Sequence, residues 1–401
     1  MSNKQNNNSK IKKTASKKQV NKKKQKKNTR LLELILKVVA IVLAIGIVVF
    51  FAARAFGGMG FLDVEDSARQ FVSGTGVGAG YPYKINYSDV IRMEPFKSNI
   101  ALLTHDSFTV LNSSAKEVVR FQHGYSDPEM SVYGGRALIY DKTTGKFTVL
   151  NSSKILNEGD VEAQIYTAVM SKDGSLAFSL KTESAQSELR VYNDKLEKVF
   201  AWKCSKEKVF DIAISPRGNG AAVILSGSKN AQPYSKLVLV EFDETEPISE
   251  FTYENTVLFD VIYPYSNKVI AYSTDMKTTI SKKTERTDDY KYESATISLQ
   301  DTSDSGKSAV VLSEYGNEEN QRVVLFDKKS KLVFEKSFNE KIYGISCTDK
   351  YVAVLFENQA VLLRSGGEEE KTFETGKNGK RIVCIGSDIY VLYSSNISKN
   401  S

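Results

Sequence analysis

Short runs of apolar residues, each followed by a polar turn, recur along most of the chain. Two of these runs are identical: Phe-Thr-Val-Leu-Asn-Ser-Ser occupies residues 108–114 and returns 39 residues later, at 147–153. Apolar and β-branched residues followed by Asn and Ser are typical of a strand that ends in a turn. No 3.6-residue period accompanies the repeat, so the pattern predicts strands and not amphipathic helices.

Related runs continue towards the C-terminus, and the polar residue that closes each run marks its position. The markers are Asn112, Asn151, Asn193, Asp243, Asp327 and Ser365. Their spacings are 39, 42, 50, 84 and 38 residues. Since 84 is twice 42, one degenerate copy is expected between Asp243 and Asp327.

A pair of apolar runs joined by a tight turn precedes several markers. These pairs are 165–170 with 176–180, 209–215 with 221–225, 257–263 with 269–272, and 342–347 with 351–356. Each unit therefore contains four short strands, and four antiparallel strands in about 40–45 residues is the period of a β-propeller blade. The predicted fold is all-β, a β-propeller of seven to eight four-stranded blades.

Seven four-stranded units fit between about Asp89 and Gly376, and two further strands, 381–386 and 389–393, remain without partners. The segment 81–86 can supply a strand that closes the ring. This gives eight blades if the terminal pieces form a blade of their own, or seven if they complete a neighbour. The predicted propeller spans residues 81–396, with 397–401 as a C-terminal tail.

One longer apolar segment precedes the repeats. Residues 38–53 contain sixteen consecutive residues without a polar side chain, and with the flanking residues the segment is long enough to span the roughly 30 Å hydrocarbon core of a bilayer. We predict a transmembrane signal anchor at 31–54. A cleaved signal peptide, with a small-x-small site at 53–55, and a buried core helix are the alternatives.

Charge is distributed very unevenly around this segment. Residues 1–30 carry +12 and residues 31–54 carry +1, and with +7 for the whole chain this leaves −6 for residues 55–401. Because positive charge is retained on the cytoplasmic side, we expect a single-pass protein of the cell membrane with a cytoplasmic N-terminus and an extracytoplasmic C-terminal domain. The basic pI belongs to the tail, so a nucleic-acid partner is not expected.

The tail and the linker have simple compositions. Residues 1–30 contain Lys, Asn, Gln and Ser and no aromatic residue, so we expect a disordered tail that fixes the topology or contacts anionic lipid headgroups. Residues 55–80 form a Gly-rich juxtamembrane linker. Its Gly-Thr-Gly-Val-Gly-Ala-Gly run matches no phosphate-binding motif, so it is interpreted as a linker or as tight edge packing.

Residues able to support catalysis are sparse. The two histidines, His105 and His123, accompany no Gly-x-Ser-x-Gly motif and no metal-binding spacing. The run 301–306 resembles part of a calcium loop, but its twelfth position is Leu312 and not Glu, so a solvated turn is expected. Residues 275–298 are interpreted either as a binding loop or as degenerate strands of blade 5. No catalytic, cofactor-binding or metal-binding residue is predicted, and no cofactor.

The three cysteines, Cys204, Cys347 and Cys384, are far apart in the sequence, and none lies in a Cys-x-x-Cys motif. They are interpreted as small buried side chains on strands. A bridge between Cys347 and Cys384 would require their strands to be neighbours.

The Lys-rich tail, the single anchor, the glycine linker that runs into Gly80-Tyr81-Pro82 and the ~40-residue β units together resemble a family of membrane-anchored propellers of clostridia and related Gram-positive bacteria, a domain of unknown function. The blades also resemble, more loosely, quinoprotein-like and WD40-like propellers. The resemblance implies no catalytic residues. Trp202 is the only tryptophan, so the Trp-docking signature of quinoprotein blades is absent.

Two functional hypotheses follow. The first is a non-enzymatic binding or scaffold module of the bacterial cell envelope, which binds a protein or a cell-wall ligand at one face of the ring. The second is an exported enzyme, a quinoprotein-type oxidoreductase or a lyase, with its active site in the central channel. The second hypothesis requires polar catalytic side chains to converge at one end of the channel.

Overall fold

The computed structural model describes residues 76–86, 89–314 and 317–401, and these residues form β-strands, turns and loops. The strands build eight antiparallel four-stranded sheets, which are the blades of a β-propeller. The prediction of a propeller is therefore confirmed, and the number of blades is eight. The apolar segment 31–54 lies outside the described residues.

Blades 1–4 follow one another along the chain. Blade 1 contains β2 (Val90–Phe96), β3 (Asn99–Thr104), β4 (Ser107–Leu111) and β5 (Glu117–Gln122). Blade 2 contains β6 (Pro128–Tyr133), β7 (Arg136–Asp141), β8 (Lys146–Asn151) and β9 (Ile155–Asp160). Blade 3 contains β10 (Ile165–Met170), β11 (Leu176–Leu180), β12 (Ser187–Tyr192) and β13 (Lys198–Cys204). Blade 4 contains β14 (Lys208–Ile214), β15 (Gly220–Lys229), β16 (Gln232–Glu241) and β17 (Ser249–Glu254).

Blades 5–7 repeat the order, and blade 8 combines both ends of the ring. Blade 5 contains β18 (Leu258–Tyr265), β19 (Lys268–Ser273), β20 (Met276–Ser281) and β21 (Glu285–Lys291). Blade 6 contains β22 (Ala295–Thr302), β23 (Ser308–Glu314), β24 (Asn317–Phe326) and β25 (Leu332–Phe338). Blade 7 contains β26 (Gly344–Cys347), β27 (Tyr351–Leu355), β28 (Gln359–Arg364) and β29 (Glu369–Glu374). Blade 8 contains β30 (Arg381–Ile385), β31 (Asp388–Leu392), β32 (Asn396–Asn400) and β1 (Tyr83–Lys84).

The first strand of each blade lies towards the centre of the ring, where it contacts the first strands of the neighbouring blades. Because successive strands are antiparallel, the turns alternate between the two faces. We call the face with the turns between first and second strands, and between third and fourth strands, the AB face. The other face, with the turns between second and third strands, is the BC face.

The hydrophobic core lies between the blades. Each core cluster takes side chains from two neighbouring sheets, because the blades stack face to face. The cluster that contains Met93, Ile100, Val383 and Tyr390 joins blade 8 to blade 1, and it closes the ring with the same packing that holds the other blades together.

The repeated marker residue stabilises the turn between the third and fourth strands. The side-chain oxygen of Asn112 accepts the backbone N–H groups of Ser114 and Lys116 at 3.0 Å each. Asn151 accepts those of Ser153 and Lys154 in the same way. A short polar side chain that bonds its own backbone two residues on favours a turn, which explains why Asn and Asp recur at this position.

The degenerate copy expected between Asp243 and Asp327 is blade 5. Residues 275–298, which the sequence left open as a binding loop or as strands, contain β20, β21 and the start of β22. Their charged character fits the outermost strand, since most residues of β21 are exposed.

The expectation of a tail at 397–401 is wrong for residues up to Asn400, which belong to β32. This strand pairs with β31 on one side and with β1 on the other. Its sequence is polar and contains a single apolar residue, Ile397, so it shows no apolar run. Ile397 is nevertheless fully buried, because it packs in the cluster that closes the ring.

The end of the glycine linker is packed against blade 1 on the AB face. Gly78 N–H donates to the Ser114 hydroxyl at 2.9 Å, and Asn112 donates to the Gly76 carbonyl at 2.9 Å. A Cβ atom at Gly78 would lie 2.3 Å from the Ser114 carbonyl oxygen, so this approach requires glycine. Edge packing is therefore the correct interpretation for residues 76–80.

No helix within residues 76–86, 89–314 and 317–401 is long and apolar enough to cross a membrane.

Candidate functional site

A pocket of about 430 Å³ opens at the centre of the AB face. Five blades line it with their first strands and the turns that follow. The lining residues are Glu94, Pro95 and Lys97 of blade 1, Val132 of blade 2, 301–304 of blade 6, 347–351 of blade 7 and 384–386 of blade 8. Their convergence depends on the closed ring, since blades 8 and 1 are neighbours only in space.

Local hydrogen bonds fix the turns around the mouth of the pocket. In blade 6 the Ser303 carbonyl accepts the Gly306 N–H at 2.8 Å, and Gly306 has a φ of +86°. In blade 7 the Thr348 hydroxyl oxygen accepts the Tyr351 N–H at 2.9 Å. These bonds define the conformation of both turns, which carry residues of the pocket lining.

Asp301 lines the pocket near the end of β22. Its side chain is half-buried, and its Oδ2 atom accepts the backbone N–H of Cys347 at 2.6 Å. Burial, followed by the like charge of Glu94, raises the pKa of Asp301 to about 7. The carboxyl group can therefore exchange a proton near neutral pH.

Glu94 lies on β2 and lines the same pocket. Burial raises the pKa of Glu94, while the positive charges of Arg92 and Arg381 oppose the shift. Both arginines also make other contacts. Arg92 pairs with Glu129 at 2.8 Å, and Arg381 donates to the Ile91 carbonyl at 3.0 Å.

Basic residues recur on the AB face. Each of blades 1–7 carries one at, or directly after, the turn between its first and second strands: Lys97, Arg136, Lys172, Arg217, Lys268, Lys307 and Lys350. Of these residues, Lys97 and Lys350 line the pocket, together with the carboxyl groups of Asp304 and Asp349 in the turns of blades 6 and 7.

Two further carboxyl groups lie on first strands farther round the channel. Asp211 Oδ2 accepts the Val261 N–H at 2.8 Å, and Asp260 accepts a hydrogen bond from the Gln300 amide. Burial and the charge of Asp260 raise the pKa of Asp211, and burial raises the pKa of Asp260 to about 6. These bonds link blade 4 to blade 5 and blade 5 to blade 6, so we assign both groups a structural role.

Cys347 and Cys384 line the pocket on neighbouring first strands, and both are free thiols, as is Cys204. Burial raises the pKa of Cys384 and of Cys204 to about 12, and it raises the pKa of Cys347 as well. The thiols are therefore protonated at neutral pH and are poor nucleophiles.

Neither histidine lies at the pocket. His105 is exposed in a turn on the BC face. His123 accepts the Tyr125 N–H through Nδ1 at 3.1 Å, so its Nε2 donates to the Thr104 carbonyl and the ring is neutral. Burial lowers the pKa of His123, in agreement with this tautomer. Within the described ranges, no group of three or more His, Cys, Asp or Glu side chains could hold a metal ion.

The sequence analysis named no site residue, and it interpreted the run 301–306 as a solvated turn. The structure does place a turn there, with Asp304 exposed, but Asp301 lies inside the ring. One signal was present in the sequence. A charged residue within a first strand is unusual, and Asp211 and Asp260 lie in the predicted runs 209–215 and 257–263. Glu94 and Asp301 lie outside the predicted runs, so this signal did not extend to them.

The fold and the site together define an eight-bladed β-propeller with a polar pocket at one end of its channel. Residues 80–399 match a protein family described as "Family of unknown function (DUF5711)", and because this range covers most of the sequence, the chain belongs to that family. No curated protein is significantly similar in sequence.

Several solved structures share the fold. The C-terminal WD40 domain of Sif2 aligns with 81% of this chain and 100% of its own, at 11% identity and a TM-score of 0.56. Sqt1 of Saccharomyces cerevisiae aligns with 80% of this chain and 99% of its own, at 10% identity and a TM-score of 0.55. Apo AztD of Citrobacter koseri aligns with 74% of this chain and 88% of its own, at 12% identity and a TM-score of 0.51. These similarities establish the fold alone.

Proposed function

We propose that the protein is a non-enzymatic binding module of the bacterial cell envelope. In this proposal a single membrane span anchors it, and the propeller lies outside the cytoplasm and binds a protein or cell-wall ligand at the AB face. The observation that carries the proposal is the pocket of about 430 Å³ at the centre of that face. Pockets of some 300–1,000 Å³ with a few polar groups are typical of ligand sites.

The anchoring and the export rest on the sequence. The charge of +12 in residues 1–30 precedes the apolar segment, and residues 55–401 carry −6. This asymmetry favours a cytoplasmic tail and an exported ring. The tail can then also contact the anionic lipid headgroups of the cytoplasmic leaflet.

An exported enzyme is the second candidate, and one observation favours it. Glu94 and Asp301 face the same pocket, and Asp301 has a pKa of about 7, which suits a group that exchanges protons. We prefer the binding function because the thiols in the pocket are unreactive and no histidine lies there.

A capture experiment with the full chain in detergent micelles tests the binding function. Val132→Trp places an indole ring in the pocket, and Phe210→Trp changes an exposed residue near the opposite end of the channel. Wild type and Phe210→Trp are expected to retain the same component of an envelope extract, and Val132→Trp is expected to lose it. Equal retention by all three proteins, or retention by none, would contradict binding at the AB face.

A further inference from the structure

Aromatic side chains recur at one place on the first strands, at the end of the channel that opens on the BC face. In blades 3, 4 and 5, a register shift between the first and second strands leaves one residue unpaired, and these residues are Tyr166, Phe210 and Phe259. In blade 7, Tyr343 directly precedes β26, and its N–H donates to the Leu355 carbonyl at 2.8 Å. A β-bulge redirects a side chain and is frequent beside functional sites.

These aromatic rings are accessible to solvent. Phe210 is 47% exposed and Tyr343 is 43% exposed, and within the described ranges they are the aromatic members of the set of exposed large apolar side chains. Tyr166 and Phe259 are half-buried. The residue before each ring is buried and supplies the core instead: Ile165, Val209, Leu258 and Ile342. Exposed aromatic rings that neighbouring blades present at the same place indicate an interaction surface.

Lysine side chains lie over two of the rings. The Nζ atom of Lys208 is 3.5 Å from the centroid of the Tyr166 ring, so this side chain crosses from blade 4 to blade 3. In blade 7 the Nζ atom of Lys341 is 5.8 Å from the centroid of the Tyr343 ring. Lys341 follows Glu340 in the chain, so the excess of positive charge beside the rings is at blades 3 and 4.

No carboxylate of the described residues neutralises Lys208. Burial alone lowers the pKa of Lys208, without an opposing contribution from a nearby acid. Glu207, its neighbour in the chain, pairs with Lys236 at 3.0 Å. Asp211, which follows Phe210, accepts a backbone N–H of blade 5. A ligand cation would therefore be repelled beside the Tyr166 ring, and a ligand carboxylate would be stabilised there.

We propose that the BC end of the channel is a docking site for an acidic segment of a partner protein, which packs an apolar side chain against Phe210 and places a carboxylate beside Lys208. Aromatic residues are enriched among the residues that contribute most to protein–protein binding, which favours a protein as the occupant. The lysine over the Tyr166 ring favours an acidic one. This surface lies at the opposite end of the channel from the AB-face pocket, so the inference goes beyond the proposed function.

Selection from a random dodecapeptide library displayed on phage tests the inference, with the full chain in lipid nanodiscs as the bait. Phe210→Ser is the counter-bait, because it removes an exposed ring that belongs to no core cluster of the described chain. We expect the peptides that bind wild type and not Phe210→Ser to be enriched at least two-fold, relative to the library, both in Asp or Glu and in large apolar residues.

Fluorescence anisotropy with the most enriched peptide assigns its contacts. Phe210→Ser should weaken binding by at least ten-fold, and Lys208→Gln by at least three-fold. Leu332→Ser is the matched control, because Leu332 is 49% exposed on the outer strand of blade 6, and it should bind as wild type does. Chitotriose, an uncharged sugar, is the probe for a glycan as the occupant.

Selection of no peptide that depends on Phe210 would overturn the inference, as would selected peptides rich in Lys and Arg or equal affinity of wild type and Lys208→Gln. Binding of chitotriose that is lost in Phe210→Ser, without such peptides, would identify a glycan as the occupant and would also overturn it. Capture at the AB face should be the same for Phe210→Ser and wild type, so the outcome for the proposed function is independent.

Discussion

At the scale of single residues, the structure is most unusual on the first strands, where Glu94, Asp211, Asp260 and Asp301 carry carboxyl groups into the ring. Burial raises the pKa of each group. A buried carboxylate without a close cation opposes folding, so residues of this kind persist where they bond to neighbouring strands or serve a ligand. Asp211 and Asp260 link blades, whereas Glu94 and Asp301 face the pocket.

The raised pKa of Asp301 has a defined effect on stability. Its pKa is about 7 in the folded chain, against an ordinary value of 3.8, so ionisation above pH 4 progressively favours the unfolded state. We expect Asp301→Asn to gain stability relative to wild type as the pH rises from 5 to 8, by about 1–3 kcal/mol once screening by channel water is allowed for. Urea unfolding at the two pH values measures this.

Asp106→Asn, at an exposed turn on the other face, is the control and should leave the pH dependence of wild type unchanged. If Asp301→Asn and wild type lose the same free energy of unfolding between pH 5 and pH 8, the carboxyl group of Asp301 does not titrate as described.

At the scale of elements, the repeat along the chain corresponds to hydrogen bonds in the turns. The markers Asn193 and Asp327 accept backbone N–H groups two and four residues on, as Asn112 does. In blades 1, 2, 3 and 6, a polar residue at this position therefore ends the third strand in a similar way. The fourth strands are more exposed and vary more in composition, because they form the outer edge of each blade.

The element that the sequence did not reveal, β32, gives a direct test of ring closure. Ile397 is fully buried there, so Ile397→Ala should lower the free energy of unfolding by about 2–4 kcal/mol. The matched control is Ile155→Ala in β9, where the side chain is 40% exposed and the loss should stay within about 0.5 kcal/mol. Equal, small losses in urea unfolding would show that residues 397–401 behave as a tail.

Most of the fold could be predicted because its local signals repeat. Each pair of apolar runs, such as those around residues 170, 215 and 265, predicts two strands joined by a turn. Seven four-stranded units of this kind in succession predict a closed ring of blades. The pocket could not be predicted in the same way. Asp301 and Glu94 are separated by 207 residues of sequence, and their blades line one pocket only because the ring closes through blade 8. The single apolar residue of β32 gives no period, so that strand was missed as well.

At the scale of the whole molecule, the two faces of the ring differ. The AB face holds the pocket, the basic residues at the turns and the docked linker residues 76–80, which precede the ring in the chain. In the proposed topology the tail of +12 remains in the cytoplasm, and the ring, part of the segment of −6, lies outside. An anchored propeller that binds outside the cytoplasm is the central claim, and its most direct test is the location of the ring.

Thiol labelling of intact cells that express the full chain measures this location. The native thiols are buried, and burial raises the pKa of Cys204 and Cys384 to about 12, so they should stay unlabelled in folded protein. Ser387→Cys adds an exposed thiol on the AB face, and Ser9→Cys adds one in the tail. A membrane-impermeant maleimide should label Ser387→Cys in intact cells and Ser9→Cys only after permeabilisation. Labelling of Ser9→Cys but not of Ser387→Cys in intact cells would contradict the account.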